Sequence, residues 1–363
     1  MATGYEWQEE SYELWRQTGY KGVMDCCPAA GKTRAGAICI REYLIDNPFD
    51  KIWVVANTKD VLGQWKVELK DILDYVEFYT YPGAVSKLWK YERALDLEKM
   101  RPDLLVLDEC HFVMAKTWGQ VVEFGVPHLL GMSGTPSGSH KRIGPIFQKV
   151  TFNEANVAPT TLYMCAFTPS NAEMEKYRRI SKTIETYKEN HPYSNYKNDA
   201  FLSRFINQRR RIVNGFSTRF EPALRIALEN KGKVMMIFCS TKAQADAFSA
   251  YLTDYEVPNV VYYSGKEKDL DKFMSGEIDV CISCRMLNTG FNKVDVEVGI
   301  IVATTTSPIT TVQTASRMIR VDPNNPEKTA KIYYLLADGT NDMELYRITN
   351  NELKAFKLEN RRM

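Results

Sequence analysis

Short apolar runs alternate along this chain with longer amphipathic stretches. In the first half the runs are GVMDCC, KIWVVAN, VEFYT, DLLVLD and LLGMSG, separated by helix-like segments such as TKDVLGQWKVELKDIL. In the second half they are KVMMIFC, NVVYYS, DVCIS, VGIIVA and AKIYYLLA. Short runs that are apolar throughout, with helical stretches between them, predict strands of a parallel sheet covered on both faces. The pattern thus predicts an α/β fold with two parallel sheets in series, each flanked by helices. The segment SGSHKRIGPIFQKVTFNEANVAP, rich in Gly, Pro and polar residues, marks the crossing point, with a first lobe over 1–155 and a second over 156–363. From about 168 to 228 the chain turns polar, charged and helical, as in PSNAEMEKYRRISKTIETYKEN, and reads as a helical preface to the second sheet. No internal repeat and no low-complexity tract interrupts this order.

Composition agrees with the pattern. At 363 residues the chain is too long for one ordinary core, and 44% hydrophobic with 25% charged residues describes a globular protein. No apolar run reaches the roughly 18 residues of a membrane helix. The start, MATGYEWQEESYELW, lacks the basic-then-apolar layout of a signal peptide. Eight cysteines without a short secreted layout point to reduced thiols in a cytosolic compartment. That compartment would belong to a bacterium or a virus-infected host cell, or be a nucleus if the source is eukaryotic. The net charge of +2, from 47 basic and 45 acidic residues, neither demands nor excludes a nucleic-acid partner. One basic cluster stands out, SRFINQRRRIVNGFSTRF, with Arg204, Arg209, Arg210, Arg211 and Arg219. It reads equally as a polyanion grip or as a solvated helix face.

Candidate chemistry begins at GVMDCCPAAGKTRAG, residues 22–36. A phosphate cradle needs a strand, a tight turn of exposed N–H groups, and a helix whose N-terminus faces the anion. GVMDCC supplies the strand, PAAG the turn with Ala30 and Gly31, and KTRAGAICIREYLI the helix. Lys32 would reach the β- and γ-phosphates, and the Thr33 hydroxyl would ligate Mg²⁺. Gly-Lys-Thr is a common tripeptide, and here Cys26, followed by Cys27 and Pro28, stands where a glycine usually opens the loop. The second piece, DLLVLDECHFV, is an apolar strand ending in two adjacent carboxylates. Asp108 would hold the metal, and Glu109 would orient and deprotonate the attacking water.

These residues carry a resemblance. DECH after a buried strand resembles the metal-binding motif of superfamily 2 helicases and translocases, whose fold is a pair of RecA-like lobes. Further segments are similar to the other motifs of that family, in order. Gln8 in YEWQEESYELW stands at the position of the family's adenine-reading glutamine. VVANTKDVLGQW resembles motif Ia, with Thr58 and the Gln64-Trp65 pair, and YTYPGAVSK resembles the segment with Thr80 and Tyr81. LGMSGTP resembles motif III, with Ser133 and Thr135. IFCSTKAQAD and VYYSGK resemble motifs IV and IVa, bringing in Ser240 and Thr241. ISCRMLNTGFN resembles motif V of Snf2-like translocases, with Thr289, Gly290 and Asn292. QTASRMIR resembles motif VI, with Gln313, Arg317 and Arg320, and YYLLADGTND the Snf2 segment after it. Small phage helicases that remodel branched DNA share most of these motifs.

The resemblance implies ATP and Mg²⁺ between two lobes, with Asp108 and Glu109 catalytic and Arg317 and Arg320 supplied from the second lobe on closure. Those two arginines share a face if their segment is helical. His111, Ser133, Thr135 and Gln313 would couple the nucleotide site to movement, and Gly290 and Asn292 would help hold nucleotide. Thr58, Gln64, Thr80, Ser240, Thr241 and Thr289 are candidate nucleic-acid grips, each of which reads equally as a cap or turn residue. Ser316 replaces a usual glycine, and Asn292 stands where many relatives have aspartate. The expected protein is a monomeric ATP-dependent DNA translocase or helicase acting on duplex, branched or single-stranded DNA. A DExH-type RNA helicase and a binding module with a degenerate ATPase site are the alternatives. Cys281 and Cys284 form a C-x-x-C, but in an apolar strand. With His111, His128, His140 and His191 at no matching spacing, buried thiols are expected there, not a metal site.

Overall fold

The computed structural model describes residues 5–95, 97–135, 137–195, 198–266, 268–284, 293–305 and 307–363. They divide into two compact units, one running to Val157 and the other starting at Ala158. Among them no helix is long and apolar enough to cross a membrane.

The first unit is built from α1 (Glu6–Gln17), β1 (Lys21–Cys26), α2 (Lys32–Asp46), β2 (Ile52–Ala56), α3 (Lys59–Glu68), β3 (Val76–Thr80), α4 (Tyr81–Arg93), the short α5 (Leu97–Met100), β4 (Leu104–Asp108), β5 (His128–Ser133), α6 (His140–Ile143) and β6 (Ile146–Val150). Its six strands form one parallel sheet in the order β3-β2-β4-β5-β1-β6. Every residue of β2 and β4 is buried, as expected of central strands covered on both faces. Val23, Trp53, Val55, Leu105 and Leu107 pack one face against Tyr81, Ala84, Val85 and Leu88 of α4.

The second unit holds β7 (Thr160–Phe167), α7 (Asn171–Asn190), α8 (Ala200–Asn214), α9 (Phe220–Glu229), β8 (Met235–Cys239), α10 (Lys242–Asp254), β9 (Val260–Tyr262), α11 (Leu270–Ser275), β10 (Val280–Cys284), β11 (Val298–Ile301), α12 (Pro308–Ala315), β12 (Ala330–Ala337), α13 (Asp342–Thr349) and β13 (Lys357–Arg362). They form a parallel sheet in the order β13-β7-β12-β11-β8-β10-β9. Ile237, Cys239, Ile282, Val298, Ile300 and Leu335 from its strands pack with Phe248 and Leu252 of α10. Two parallel sheets flanked by helices are thus present, as the periodicity predicted, and each predicted run is a strand.

Three strands did not show in the apolar pattern: β6, inside the polar crossing segment, β7, and β13. β7 belongs to the second sheet and precedes the helical preface, which is α7, α8 and α9. Ser170 caps α7 reciprocally with Glu173, whose carboxylate accepts from the Ser170 N–H at 2.9 Å.

Candidate nucleotide site

At the end of β1 the chain turns sharply, with Ala29 at φ 69° and Gly31 at φ 90°. α2 then begins at Lys32 with no side chain capping its first turn. The N–H groups that open a helix have no partner within it, and here no capping side chain takes them either, which suits an anion. The left-handed backbone at Gly31 would strain any other residue, and a Cβ there would come 2.4 Å from Gln8 Nε2, so the Gln8 amide would have to shift. Gln8 itself is buried on α1 and donates Nε2 to the carbonyls of Ala30 and Gly31, both at 3.3 Å. The amide that the resemblance makes an adenine reader thus braces the turn between β1 and α2.

β4 ends at Asp108, and the next residue, Glu109, adopts φ 50° and ψ 54°. A left-handed conformation is uncommon outside glycine and is retained where surrounding contacts fix it. Glu109 has such contacts on both carboxylate oxygens. Oε1 lies 3.3 Å from Lys32 Nζ. Oε2 accepts from Ser133 Oγ at 3.2 Å and lies 3.3 Å from His111 Nδ1. Ser133 Oγ is also 3.1 Å from His111 Nδ1 and accepts the Thr135 N–H at 3.1 Å. Three of the four residues expected to couple the nucleotide site to movement, His111, Ser133 and Thr135, thus stand in one hydrogen-bonded group behind Glu109.

Burial would raise the Glu109 carboxyl, but the Lys32 ammonium and then His111 outweigh it and bring it down to about 2. Asp108 moves the other way, raised by burial and by the charge of Glu109 beside it. Burial alone would lower Lys32, yet Glu109 and Asp108 hold it above its ordinary value. The two adjacent carboxylates thus stand in opposite electrostatic surroundings, Glu109 held charged by Lys32 and His111, Asp108 pressed by burial and by Glu109.

The donor set fits a magnesium nucleotide. No group of three or more His, Cys, Asp or Glu that could hold a metal by itself occurs among the described residues. Mg²⁺ is commonly held by one or two carboxylates with phosphate oxygens and water, not by an all-protein cage. Asp108 and Thr33 are the residues that would hold it.

In the second unit, Thr241 caps α10, accepting the Gln244 N–H at 3.1 Å, and Ser240 Oγ donates to Gln244 Oε1 at 3.0 Å. Thr58 and Thr80 in the first unit likewise cap α3 and α4 through Val61 and Gly83, each at 3.4 Å. Three of the candidate grips are therefore N-caps, while Gln64 sits exposed on α3. Gln313 lies on α12, and its carbonyl accepts from Ser316 Oγ at 2.7 Å. α12 ends at Ala315, so Arg317 and Arg320 do not share a helical face, contrary to the condition set on the sequence. The following turn is shaped by burial of Met318 and Ile319, and the Ile319 carbonyl accepts Ala158 N–H at 2.8 Å. Arg320 is lowered from the usual guanidinium value by burial. Thr289, Gly290 and Asn292 lie outside the described residues.

The sequence matches two family models, "Type III restriction enzyme, res subunit" over residues 3–138 and "Helicase conserved C-terminal domain" over residues 218–322. The chain belongs to the superfamily 2 helicases. It is accordingly a nucleic-acid-dependent ATPase with tandem RecA-like lobes. Solved structures resemble this helicase at low identity. Dbp5 of S. cerevisiae, bound to RNA and ADP BeF3, aligns over 98% of the helicase and 89% of its own chain, at 13% identity and TM-score 0.64. The type ISP restriction-modification enzyme LlaBIII, bound to DNA, aligns over 100% and 31%, at 11% identity and TM-score 0.68. A fragment of a putative HsdR subunit of a type I restriction enzyme from Vibrio vulnificus YJ016 aligns over 98% and 68%, at 12% identity and TM-score 0.67. No curated protein matches the helicase sequence.

Some site features of the helicase differ from, or were missing in, the sequence reading. Arg219, counted with the basic cluster, is fully buried and pairs with Asp342 at 2.5 Å. It also donates to the carbonyls of Val213, Val302 and Leu335 at 3.1, 2.7 and 2.7 Å, so it ties α9 to the ends of β11 and β12 and is not available to a polyanion. Arg204 and Arg211 of the same cluster remain exposed on α8. Cys281 and Cys284 lie on β10, three apart and so on opposite faces, and burial pushes Cys281 up to about 12. The loop thiols behave alike, Cys26 fully buried and Cys27 raised by burial to about 12. Trp65 and Tyr81 touch Asp108 directly, the indole Nε1 donating to Oδ2 at 2.9 Å and the phenol to the backbone carbonyl at 3.0 Å. Their sequence signal was only membership of QW and TY pairs, which assigns no partner.

Proposed function

We propose that this helicase is a DNA motor that couples hydrolysis of ATP to movement along, or remodelling of, DNA. The observation that carries the catalytic part is the two-sided grip on Glu109, Lys32 on one oxygen and Ser133 with His111 on the other. Triphosphate oxygens compete with Glu109 for Lys32. Once Lys32 turns to them, Oε1 is free to take a proton from the attacking water, while Oε2 stays tethered and keeps the base aimed. Mg²⁺ bound through Thr33 and Asp108 would neutralise charge developing on the phosphates. In this proposal Arg317 and Arg320 supply further positive charge to the transferred phosphoryl group. Gly290 and Asn292 assist nucleotide binding, and Gln313 joins His111, Ser133 and Thr135 in coupling.

DNA is favoured by the Snf2-like wording of ISCRMLNTGFN and YYLLADGTND, and by likeness to a restriction-modification enzyme solved with DNA. RNA is the second reading, favoured by likeness to Dbp5, solved with RNA, over 89% of that chain. Thr58, Gln64, Thr80, Ser240, Thr241 and Thr289 are the proposed grips, with Arg204 and Arg211 of α8 as further phosphate contacts. Binding through phosphates suits a motor, which cannot depend on base sequence. The test is ATP turnover measured separately with duplex DNA, single-stranded DNA and RNA. Stimulation by DNA is expected. Stimulation by RNA alone would move the assignment to the second reading, and no stimulation by any of them would remove the motor.

A further inference from the structure

α3 turns Leu62 and Trp65 inward, and Trp65 is completely buried. Its six-membered ring lies over Gly36 of α2. A Cβ there would approach Trp65 Cη2 to 2.7 Å and Met132 Sδ to 2.6 Å, so the indole occupies a notch that only glycine leaves open. The ring is thereby fixed between the helix that follows the phosphate loop and the end of β4. From that position Nε1 donates to Asp108 Oδ2 at 2.9 Å. The other carboxylate oxygen, Oδ1, accepts the Glu109 N–H at 2.9 Å, and Tyr81 donates to the Asp108 carbonyl at 3.0 Å.

Asp108 is therefore tethered at both oxygens and at its backbone. A phenylalanine could fill much of the same notch. What the indole adds is a donor aimed at one oxygen of a buried carboxylate. Outer partners of this kind restrict a carboxylate to one orientation and commonly govern metal affinity. We propose that Trp65 is a positioning residue for Asp108, setting the orientation in which that carboxylate meets Mg²⁺. The inference rests on the reading of Asp108 as a metal residue. It also gives α3 a second task. The helix whose cap is Thr58 reaches the metal carboxylate two turns later, so a shift of α3 changes the Asp108 tether.

The experiment measures Mn²⁺ binding to the full chain with ADP, by the loss of free-ion signal in electron paramagnetic resonance, beside metal-free ADP binding. Trp65→Phe is expected to weaken Mn²⁺ binding by about tenfold, the low end for loss of an outer-shell partner, while metal-free ADP affinity is unchanged. Where Trp65→Phe fails to fold, benzothienylalanine at position 65 keeps the shape of the indole and replaces the N–H with sulfur, and the same weakening is expected. Asp108→Asn separates the two levels of the argument. Loss of Mn²⁺ binding in Asp108→Asn with wild-type binding in the Trp65 variants would overturn the inference and leave the metal role of Asp108 standing. Wild-type Mn²⁺ binding in Asp108→Asn would overturn both.

Discussion

Lys32 and Glu109 face each other at 3.3 Å across the carboxyl end of the first sheet, both half-buried. In this state the ion pair stabilises Glu109 as a carboxylate and leaves it a poor base, consistent with its depression to about 2. Replacing the carboxylate by an amide keeps the shape and removes the proton acceptor. Glu109→Gln is expected to bind ATP and to hydrolyse it about a hundredfold more slowly or worse, the scale of lost general-base catalysis. Single-turnover kinetics beside nucleotide binding measures this. Near-normal turnover would take the role of base away from Glu109.

Ser133 offers a finer test, because it never needs to touch nucleotide to matter. Its hydroxyl donates to Glu109 Oε2 and accepts the Thr135 N–H. Ser133→Ala leaves Oε2 with His111 alone. A hydrogen bond to a charged group contributes about 1.5–3 kcal/mol, so kcat should fall by roughly ten- to a hundredfold. KM for ATP should stay within about twofold, since aim and not binding is lost. A raised KM at unchanged kcat would place Ser133 in nucleotide binding instead.

The legibility of this fold followed burial. Strands covered on both faces, such as IWVVA and LLVLD, could be read directly from their apolar runs. β6 and β13 could not, because edge strands carry exposed polar residues that keep neighbouring chains from pairing, as KLENRR does. The phosphate loop and the Asp108-Glu109 pair were legible because each is a contiguous strand-and-turn. The partners of those groups were not. Trp65 reaches Asp108, and Gln8 reaches the loop, only through tertiary packing. Arg219 was misplaced for the same reason, since a count of charges does not show which of them the fold encloses.

The pair of Arg219 and Asp342 makes a stability prediction. Both are fully enclosed, and Asp342 also accepts from Thr304 Oγ1 at 2.8 Å and the Ala337 N–H at 3.0 Å. Removing one member of such a pair strands the other charge and costs about 3–5 kcal/mol. Asp342→Ala should therefore unfold the second unit at markedly lower urea concentration, while the first unit's transition is unchanged. Circular dichroism with a fluorescence probe in each unit would report the two transitions. A loss under about 1 kcal/mol, the range of exposed pairs, would contradict the burial described.

The remaining basic residues of α8 make a different prediction, about salt. Arg204 and Arg211 are seven residues apart and exposed, about 10 Å along the helix at 1.5 Å per residue. Each phosphate neutralised on duplex DNA releases counterions and adds about 0.9 to the slope of log affinity against log salt. If both arginines meet phosphates, the double variant Arg204→Ala/Arg211→Ala should bind duplex DNA more weakly and lower that slope by about 1.8. Basal ATP turnover without nucleic acid should be unchanged, because neither residue is among those proposed to hold nucleotide or to act in its hydrolysis. Titrations of a labelled duplex across a salt series give the slope. Lines parallel to the wild type would mean that this stripe is a solvated helix face and that neither arginine meets a phosphate.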